Sequence, residues 1–381
     1  MSLRTRASWA LVGLLAIGRL GCVPQDDPAE VDPLLAAVLA DTWPMVVLPA
    51  LDDAAAAAAV LASACAAWDG STGAGQVEAQ EAWYAAMAAW QRVEPMQIGP
   101  LGASITVVGG QDLRDEVYSW PTVNPCAVDE LTAGETWRAS DFTATHLVNV
   151  YGLDALETLL FSPAGVNACP GDAALNTDGS WQALGAEAIQ ANRAGYAAAV
   201  AAAVARSVDD ARVAGEAFAP DFASAVPYES PQSALNAIFD ALYYLETRVK
   251  DDKLGGPLGL MDCGGACLPV ETPVAGGSNA WIAANLEGFR TLFLGGEGHG
   301  LDDLLEAGGH EDHVSSLLSA LDAADAAAAA LVVAVDVAAA SDPAPALALH
   351  AAIDEVGQVL RGEVAPALLL QIPAEAAGDN D

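Results

Sequence analysis

Long runs of alanine are the feature that most constrains how this chain can fold. Residues 54–59 are all alanine, and so are residues 326–330. Alanine has the highest intrinsic helix propensity, so these runs favour helices. Low-complexity disorder is the competing interpretation, but leucine, valine and tryptophan residues are spaced around the runs and would let the helices pack. The chain is therefore predicted to be all-α.

Hydrophobic periodicity, interrupted by glycine and proline, predicts nine helices. Pro44 and Pro49 are expected to break the chain between the first two of them. The helix at 140–161 is called the central helix below. The nine helices are expected at about 33–43, 51–68, 77–94, 140–161, 181–207, 231–250, 278–294, 313–340 and 345–360.

The second half of the chain repeats features of the first half. Gly-Pro-Leu-Gly occurs at 99–102 and again at 256–259, each time between a predicted helix and a loop. A further helix follows each loop, and residues 288–294 (Gly-Phe-Arg-Thr-Leu-Phe-Leu) parallel residues 155–161 (Ala-Leu-Glu-Thr-Leu-Leu-Phe). This order predicts two related helical bundles from an internal duplication.

The N-terminus resembles the export signal of a bacterial lipoprotein. Arg4 and Arg6 precede an apolar run at 7–18 that is too short to span a bilayer comfortably, and Leu-Gly-Cys22 follows. Arg19 replaces the aliphatic residue usual at such a cleavage site, and an uncleaved signal anchor is the alternative. We expect lipidated Cys22 to hold the protein in the periplasm, on the outer membrane, or at the cell surface, with the lipid as its only membrane contact. The predicted division of the chain is a signal peptide at 1–22, a tether at 23–33, a first bundle at 34–220, a second bundle at 221–370 and an acidic tail at 371–381.

The chain is strongly acidic, with 51 Asp and Glu against 14 Lys and Arg and a formal net charge of −37. Such a surface repels nucleic-acid phosphates and anionic lipid, so no nucleic-acid partner is expected. The same surface attracts cations, although a salty habitat would select the same composition. Charge alone does not distinguish these two causes.

Six cysteines in an exported chain favour disulfides. Cys126 and Cys169 lie in loops on either side of the central helix and could join those loops. Cys263 and Cys267 could close a small loop, and a zinc site at this pair is disfavoured because no second Cys/His pair lies nearby. Cys65 lies in an alanine-rich helix and is expected to be a buried free thiol.

Two acids of the predicted central helix are the leading candidates for a functional site. Asp154 and Glu157 are three residues apart, so on a helix their carboxylates share one face. Such carboxylates repel each other unless a metal ion, an arginine or a shared proton lies between them. Glu94 could add a third metal ligand from the end of another helix, or could be a surface acid. The alternatives for the pair are a solvated acidic face, or neutralisation of Glu157 by Arg290, the equivalent residue of the second repeat.

Four segments of the chain resemble the imelysin-like family: 83–102, 151–161, 252–259 and 279–296. They follow the family's order and are spread over most of residues 34–365. The resemblance implies an all-helical fold of two bundles, export to the periplasm and an association with iron acquisition. The family is also named for an insulin-cleaving metallopeptidase.

The family motif Gly-x-His-x-x-Glu occurs here as Gly-Leu-Asp-Ala-Leu-Glu at 152–157. Gly152 and Glu157 match the motif, whereas Asp154 replaces its histidine. An imidazole suits zinc and other borderline metals, while carboxylates favour harder cations such as iron, calcium or magnesium. Together with Tyr-Ser-Trp-Pro-x-x-Asn-Pro-Cys at 118–126, the motif looks like that of a subgroup, and we interpret Asp154 as a feature of that subgroup.

The acids and the resemblance together predict an exported accessory protein of iron uptake or iron handling. Its expected cofactor is a metal cation, with iron as the candidate, and its expected partners are that ion and a protein of iron uptake. The first alternative is a metal-dependent peptidase that uses Glu157 near a bound metal. Peptidase activity is not expected, because the chain has no His-Glu-x-x-His motif. The second alternative is a metal-free surface adaptor.

Most of the histidines lie away from these acids. His299, His310 and His313 belong to a glycine-rich acidic segment, 295–313, which we expect to be a solvated loop, with an accessory metal patch as the alternative. His146 precedes Asp154 by eight residues and would lie on the same face of the central helix. It is expected to be hydrogen-bonded at the helix start, or to extend a polar groove.

Overall fold

The structure, a computed structural model, describes residues 32–261 and 268–373. Within these ranges the secondary structure is helical and contains no β-strand, which confirms the all-α prediction. The predictions for the signal peptide, for Cys22, for Cys263 and Cys267, and for most of the tether and the acidic tail lie outside the described residues.

Seventeen α-helices cover most of the described chain. The first nine are α1 (Pro33–Asp41), α2 (Leu48–Ala67), α3 (Ala74–Val93), α4 (Leu113–Val117), α5 (Pro125–Gly134), α6 (Phe142–Thr145), α7 (Leu153–Phe161), α8 (Ala174–Thr177) and α9 (Ser180–Ala223). The others are α10 (Pro231–Leu242), α11 (Gly256–Leu258), α12 (Ser278–Phe293), α13 (Leu301–Ala307), α14 (Glu311–Ala330), α15 (Val335–Ser341), α16 (Ala344–Val359) and α17 (Ala365–Ala367). Wider π-helical stretches occur at Thr42–Val47, Leu245–Gly255 and Leu360–Val364, and short 3₁₀ turns occur at Gly99–Leu101, Thr136–Arg138 and Val148–Val150.

The predicted central helix, 140–161, is wrong in its first half. The first half contains only the short helix α6 and the 3₁₀ turn Val148–Val150, and the second half forms α7. Gly152 precedes α7 with a φ of +95°, a left-handed conformation that residues with a Cβ rarely adopt. A Cβ on Gly152 would lie 2.9 Å from Asp154 Oδ1 and 3.0 Å from the carbonyl oxygen of Val117. The motif glycine therefore starts a new helix close to another backbone segment. His146 lies before this break, with its Nδ1 3.0 Å from the carbonyl oxygen of Phe142.

Four other predicted boundaries also need correction. At the predicted break the chain stays helical: the π-helical stretch Thr42–Val47 contains Pro44 and joins α1 to α2, and Pro49 lies on the first turn of α2. The missing N–H of proline changes the hydrogen-bond pattern there without ending the helix. The helix predicted to end near residue 207 continues to Ala223, and the helix predicted at 313–340 is divided into α14 and α15. The segment 295–313, predicted as a loop, contains α13.

Two groups of helices form the body of the protein. In the first group α2 packs against α3 and α9, and α7 lies against α3 and α9. In the second group α14 packs against α12 and α16, and the π-helical stretch Leu245–Gly255 lies against α16. Contact between α3 and α12 joins the groups, and a single hydrophobic core contains side chains of both. Descent of the two groups from an internal duplication stays a prediction.

The crossing of α3 and α12 depends on a glycine. A Cβ on Gly288 would lie 2.1 Å from the carbonyl oxygen of Arg92, closer than any real contact. Only a residue without a side chain lets these two backbones approach so closely. At this crossing the C-terminal end of α3 lies against α12, a helix of the second group.

Among the described residues, one helical stretch, Pro33–Ala67, is long and apolar enough to cross a membrane, and α14 with α15 would count as a second if a bend of 73° is allowed. This assessment uses only length and composition. Trp43, Leu51 and Leu61 of the first stretch are fully buried, and α2 packs against α9. The stretch therefore has the packing of a core helix.

The predicted disulfide between segments on either side of α7 is present. It links Cys126 to Cys169, whose Cα atoms are 4.4 Å apart. The sequence indicated a loop at Cys126, but this residue lies on the first turn of α5. Beside it, the fully buried Arg193 of α9 forms a 3.1 Å ion pair with Asp129. Cys65 is a buried free thiol, also as predicted, and burial raises its pKa to about 12.

Candidate functional site

A group of polar side chains, called the buried polar cluster below, is enclosed where α3, α7 and α12 meet. Ten of its eleven members are at most 6% exposed, and Arg114 is the exception. Enclosed polar groups are costly unless they are hydrogen-bonded or charge-paired. The members are Gln91, Glu94, Arg114, Tyr118, Ser119, Asp154, Glu157, Tyr244, Lys253, Glu271 and Asn285.

Glu94 is held by an arginine at one end of the cluster. Arg114 Nη2 lies 2.8 Å from Glu94 Oε2, its Nε lies 3.1 Å from both carboxylate oxygens, and the Tyr244 hydroxyl donates a 2.7 Å hydrogen bond to Oε2. Burial opposes ionisation of Glu94, but the Arg114 charge, its hydrogen bonds and the nearby Lys253 lower the pKa of the carboxyl. Glu94 is therefore an ionised, buried residue and not a surface acid. It would have to leave Arg114 to act as a metal ligand.

Lys253 is the second cation of the cluster. Its Nζ donates hydrogen bonds to Gln91 Oε1 at 2.7 Å and to Asn285 Oδ1 at 2.9 Å, and lies 3.1 Å from Glu271 Oε1. Burial lowers the pKa of Lys253, although the charge of Glu271 acts against this. These contacts connect the π-helical stretch Leu245–Gly255 to α3 and α12.

Glu271 has one satisfied and one unsatisfied oxygen. Its Oε1 accepts hydrogen bonds from Tyr118 at 2.8 Å and from Gln91 at 2.9 Å. Its Oε2 is buried and has no hydrogen-bond partner among the described residues. Burial, followed by the negative charges of Glu271, Asp154 and Glu157, raises the pKa of Tyr118. The phenol therefore stays protonated and lies close to three carboxyl groups.

Asp154 lies on the first turn of α7 and is 2% exposed. Its Oδ2 accepts a 2.7 Å hydrogen bond from Ser119, and its Oδ1 accepts a 3.0 Å bond from the backbone N–H of Ala155. Burial raises its pKa to about 7 in spite of these hydrogen bonds. Near neutral pH the carboxyl is therefore close to half protonated.

Glu157 lies one turn further along α7 and is 5% exposed. Its Oε1 accepts hydrogen bonds from the backbone N–H groups of Val274 and Ala275, at 2.7 and 2.8 Å. Burial raises its pKa to about 7, and the charges of Asp154 and Glu271 act in the same direction. The loop that carries Glu271 thus covers Glu157 and fixes one of its two oxygens.

The cluster contains more acids than bases. It has four carboxyl groups, those of Glu94, Asp154, Glu157 and Glu271, and two cations, Arg114 and Lys253. The described ion pairs use Glu94 and Glu271 and leave Asp154 and Glu157 without a cationic partner. Unpaired carboxylates in a buried setting must bind protons or a cation.

Comparison with known proteins identifies the family of the chain. The family model for imelysin (Peptidase M75) matches residues 47–361, which is most of the chain. The chain belongs to the imelysin family. The crystal structure of an imelysin-like protein from Psychrobacter arcticum 273-4, at 2.15 Å resolution, superposes with a TM-score of 0.71 at 20% identity, covering 89% of this chain and 97% of that one. At this identity the likeness shows the fold. No curated protein matches the chain.

Within this imelysin-family chain, the predicted ligands do not form a compact three-residue metal group. Among the residues that the structure describes, two groups have ligand atoms within 4.8 Å of one another: Cys126, Glu130 and Cys169, and His310, Asp312 and His313. Neither Glu94, Asp154 and Glu157 nor Asp154, Glu157 and Glu271 form such a group, so side chains of the cluster would have to move to share one ion. The first group is closed to metals because its two sulfurs form the disulfide.

The alternative in which Arg290 neutralises Glu157 is wrong. Arg290 lies on the other side of α12, and its Nη2 contacts Asp322 Oδ1 at 2.8 Å and Asp325 Oδ2 at 2.7 Å. The acids that pair with it belong to α14. The charge of Glu157 has to be balanced from within the buried polar cluster.

Several members of the cluster were missed in the sequence. Lys253 could have been found, because it lies in the family-like segment 252–259 and is one of only 14 basic residues in a chain of charge −37. Asn285 also lies in a family-like segment, 279–296. Glu271 and Arg114 lie in irregular regions, and only the tertiary fold brings them to α7. No local pattern identifies them.

Proposed function

We propose that this imelysin-family protein binds a hard metal cation with the carboxylates of Asp154 and Glu157, with Glu271 as a third ligand. The observation that carries the proposal is that two buried carboxyl groups have no cationic partner among the described residues and have pKa values raised to about 7. A bound cation would relieve this excess of negative charge. The unsatisfied Oε2 of Glu271 is a further oxygen available to it.

The ligand atoms favour a particular class of metal. Carboxylate oxygens suit calcium, magnesium, manganese and iron more than they suit zinc, which prefers nitrogen and sulfur ligands. Asp154 in place of the family's histidine strengthens this preference and would be typical of a subgroup. When bound, the cation supplies positive charge, and Ser119 and the N–H groups of Val274 and Ala275 hold the ligand carboxyls in place.

The proposed biological role is an exported accessory protein in iron handling, anchored by lipid at Cys22. The family resemblance supports the iron role, and the lipoprotein-like N-terminus supports the location. In cells, Cys22→Ala should release the protein from the membrane fraction. If the Cys22→Ala chain stays membrane-bound and the wild-type chain carries no lipid by mass spectrometry, the anchor proposal fails.

Metal content tests the site directly. The full chain, purified in detergent, is stripped with a chelator and exchanged against iron(II), calcium or zinc, and retained metal is measured by mass spectrometry. Asp154→Asn/Glu157→Gln should abolish stoichiometric retention of iron(II) and of calcium. Asp322→Asn/Asp325→Asn is a matched control, because these acids have the same spacing on α14 but are exposed. Equal retention of iron(II) and calcium in all three proteins would contradict the proposal.

A metal-free adaptor is the second candidate, and one observation favours it. Asp154 and Glu157 both accept hydrogen bonds from other residues of the chain, so protonation of the two carboxyls could remove the excess negative charge without a metal ion. In that case neither iron(II) nor calcium would bind stoichiometrically. A peptidase is less well supported, since the hydrogen bonds described for His146, His299 and His313 are to residues outside the buried polar cluster. Metal-dependent cleavage of peptides that is lost in Asp154→Asn/Glu157→Gln would support the peptidase.

A further inference from the structure

Two histidines at the start of α14 lie in the second compact ligand group. His310 precedes the helix and His313 lies on its first turn, so their side chains share one face. Ligand atoms of His310, Asp312 and His313 all lie within 4.8 Å of one another, and the two imidazole centroids are 5.0 Å apart. This arrangement arises within a single turn of the chain.

A fourth side chain reaches the group from a different part of the fold. Glu363 belongs to the π-helical stretch Leu360–Val364, which packs against α14. Its Oε2 lies 3.0 Å from His313 Nδ1. The buried Val314 and Val364 fix the two elements next to these side chains. Glu363 is therefore brought to the histidines by tertiary packing.

The spacing of these atoms suits a small metal ion. In a tetrahedral site with bonds of about 2.0–2.1 Å, neighbouring ligand atoms lie roughly 3.3 Å apart. His313 Nδ1 is 3.0 Å from Glu363 Oε2 and 3.8 Å from Asp312 Oδ1, on either side of that value. A simple ion pair between His313 and Glu363 explains the first distance. His310 stacks on His313, and Asp312 Oδ1 accepts a 3.2 Å hydrogen bond from the backbone N–H of His313, so the ligand atoms of these three side chains lie within 4.8 Å of one another.

Electrostatics also favour a cation at this position. The positive end of the α14 dipole opposes one, but Glu311 and Asp312 of the first turn, together with Glu363, supply negative charge. The histidine and carboxylate side chains are partly exposed, so an ion can enter from solvent and the side chains can adjust around it. Binding of a cation here does not require any residue of the buried polar cluster.

We propose that His310, Asp312, His313 and Glu363 form a surface site for a divalent first-row transition ion of the zinc type. Two imidazoles with two carboxylates suit zinc, cobalt, nickel or copper, whereas the oxygen ligands around Asp154 suit harder cations. The bound ion would link the start of α14 to the π-helical stretch near the end of the described chain. The two proposed sites therefore differ in metal preference and do not depend on each other.

Zinc and cobalt titrations of the full chain in detergent test this site, in the presence of excess magnesium to occupy oxygen-only sites. We expect stoichiometric zinc binding, and a visible cobalt(II) spectrum of the intense type given by four-coordinate sites. His310→Gln/His313→Gln should weaken zinc binding about tenfold or more, and Glu363→Gln should also weaken it. Thermal unfolding without metal checks that each variant is folded.

Two controls separate this site from other histidines and from the buried polar cluster. His299→Gln removes another exposed histidine that pairs with an aspartate, since His299 Nδ1 lies 2.7 Å from Asp41 Oδ2, and should leave zinc affinity unchanged. Asp154→Asn/Glu157→Gln should also retain the zinc site. The proposal is overturned if His310→Gln/His313→Gln or Glu363→Gln binds zinc as tightly as the wild type, or if zinc binding is lost in Asp154→Asn/Glu157→Gln.

Discussion

The segments 155–161 and 288–294, which the sequence relates as repeats, are alike on their apolar side. Leu156 and Phe289 occupy equivalent positions and are both fully buried. The next apolar pair, Leu159 and Leu292, is also buried. The spacing of large side chains thus gives both helices the same inward face.

The polar positions of the two segments differ completely. In the first, Asp154 and Glu157 are almost fully buried. In the second, the equivalent Glu287 is 63% exposed in its side chain, and Arg290 is 28% exposed. The difference arises from what covers each helix, because the loop through Val274 covers Glu157, whereas acids of α14 flank Arg290. The same helical pattern can therefore hold a buried acid site or a solvated ion pair.

The largest effects should come from the shared apolar face. Leu156→Ala should lower the free energy of unfolding by about 2–5 kcal/mol and Phe289→Ala by about 3–5 kcal/mol, because each leaves a cavity in a fully buried position. Denaturant titration of both variants measures this. A cost below about 1 kcal/mol at only one of the two positions would show that the segments do not pack equivalently.

The buried acids should give the metal-free protein a distinctive pH dependence. Burial raises the pKa of Asp154 and of Glu157 to about 7, from ordinary values of 3.8 and 4.5. The folded state then binds more protons than the unfolded state, so the contribution to stability is complete below about pH 4 and is lost as the pH rises to about 7. Asp154 contributes on the order of 4 kcal/mol and Glu157 on the order of 3 kcal/mol to this loss, at about 1.4 kcal/mol per pKa unit.

Denaturant titrations between pH 4 and pH 8, with chelator present, measure this dependence. Asp154→Asn/Glu157→Gln should flatten the decline, and Arg290→Gln should leave it as in the wild type. If the double variant and the wild type lose stability in parallel, the two carboxyls are ionised at low pH and the electrostatic account of the cluster is wrong.

The crossing of α3 and α12 offers a test of intermediate size. Gly288→Ala introduces the residue found at the equivalent position 155, but its Cβ would meet the carbonyl oxygen of Arg92. We expect a loss of about 1–3 kcal/mol in the free energy of unfolding, because backbone must move. Gly362→Ala is the control, since a Cβ there has open space and should be neutral or slightly stabilising. Equal behaviour of the two variants would show that the helices can separate at little cost.

The smallest effect is expected at the solvated ion pair. Arg290→Gln removes contacts to Asp322 and Asp325, both of which are largely exposed. Such pairs contribute about 0–1 kcal/mol to the free energy of unfolding, and salt weakens them. Denaturant titration at low and high salt should show a small difference that shrinks further as salt is added. A loss comparable to that of Leu156→Ala would mean that Arg290 has a role beyond this surface contact.

The fold was largely predictable, because helix propensity and apolar spacing are local properties. The alanine-rich runs lie in α2 and α14, and the positions of Cys126 and Cys169 on either side of the helix predicted their disulfide. The error in the central helix has a local cause as well, since the left-handed conformation of Gly152 was not considered. A motif glycine before an apolar stripe is itself an indication of a helix start.

The site was predictable only in part. Asp154 and Glu157 were found because both lie on one helix, where spacing determines proximity. Their burial was not predictable, since the loop at Val274 and Ala275 comes from a distant part of the chain. The pairing of Glu94 with Arg114 was likewise not predictable, because Arg114 lies on the short helix α4, in a region of the sequence without clear hydrophobic periodicity.

The disulfide between Cys126 and Cys169 closes a covalent loop of the chain, and α7 is part of that loop. Asp154 and Glu157 lie inside that loop, as does Gly152. A protease that cuts once between the two cysteines therefore opens a loop without producing two separate molecules. The nicked chain keeps both ends of the segment attached to the body and would migrate as one species until its thiols are reduced. The fold could in this way survive a cut in the segment that carries Asp154 and Glu157.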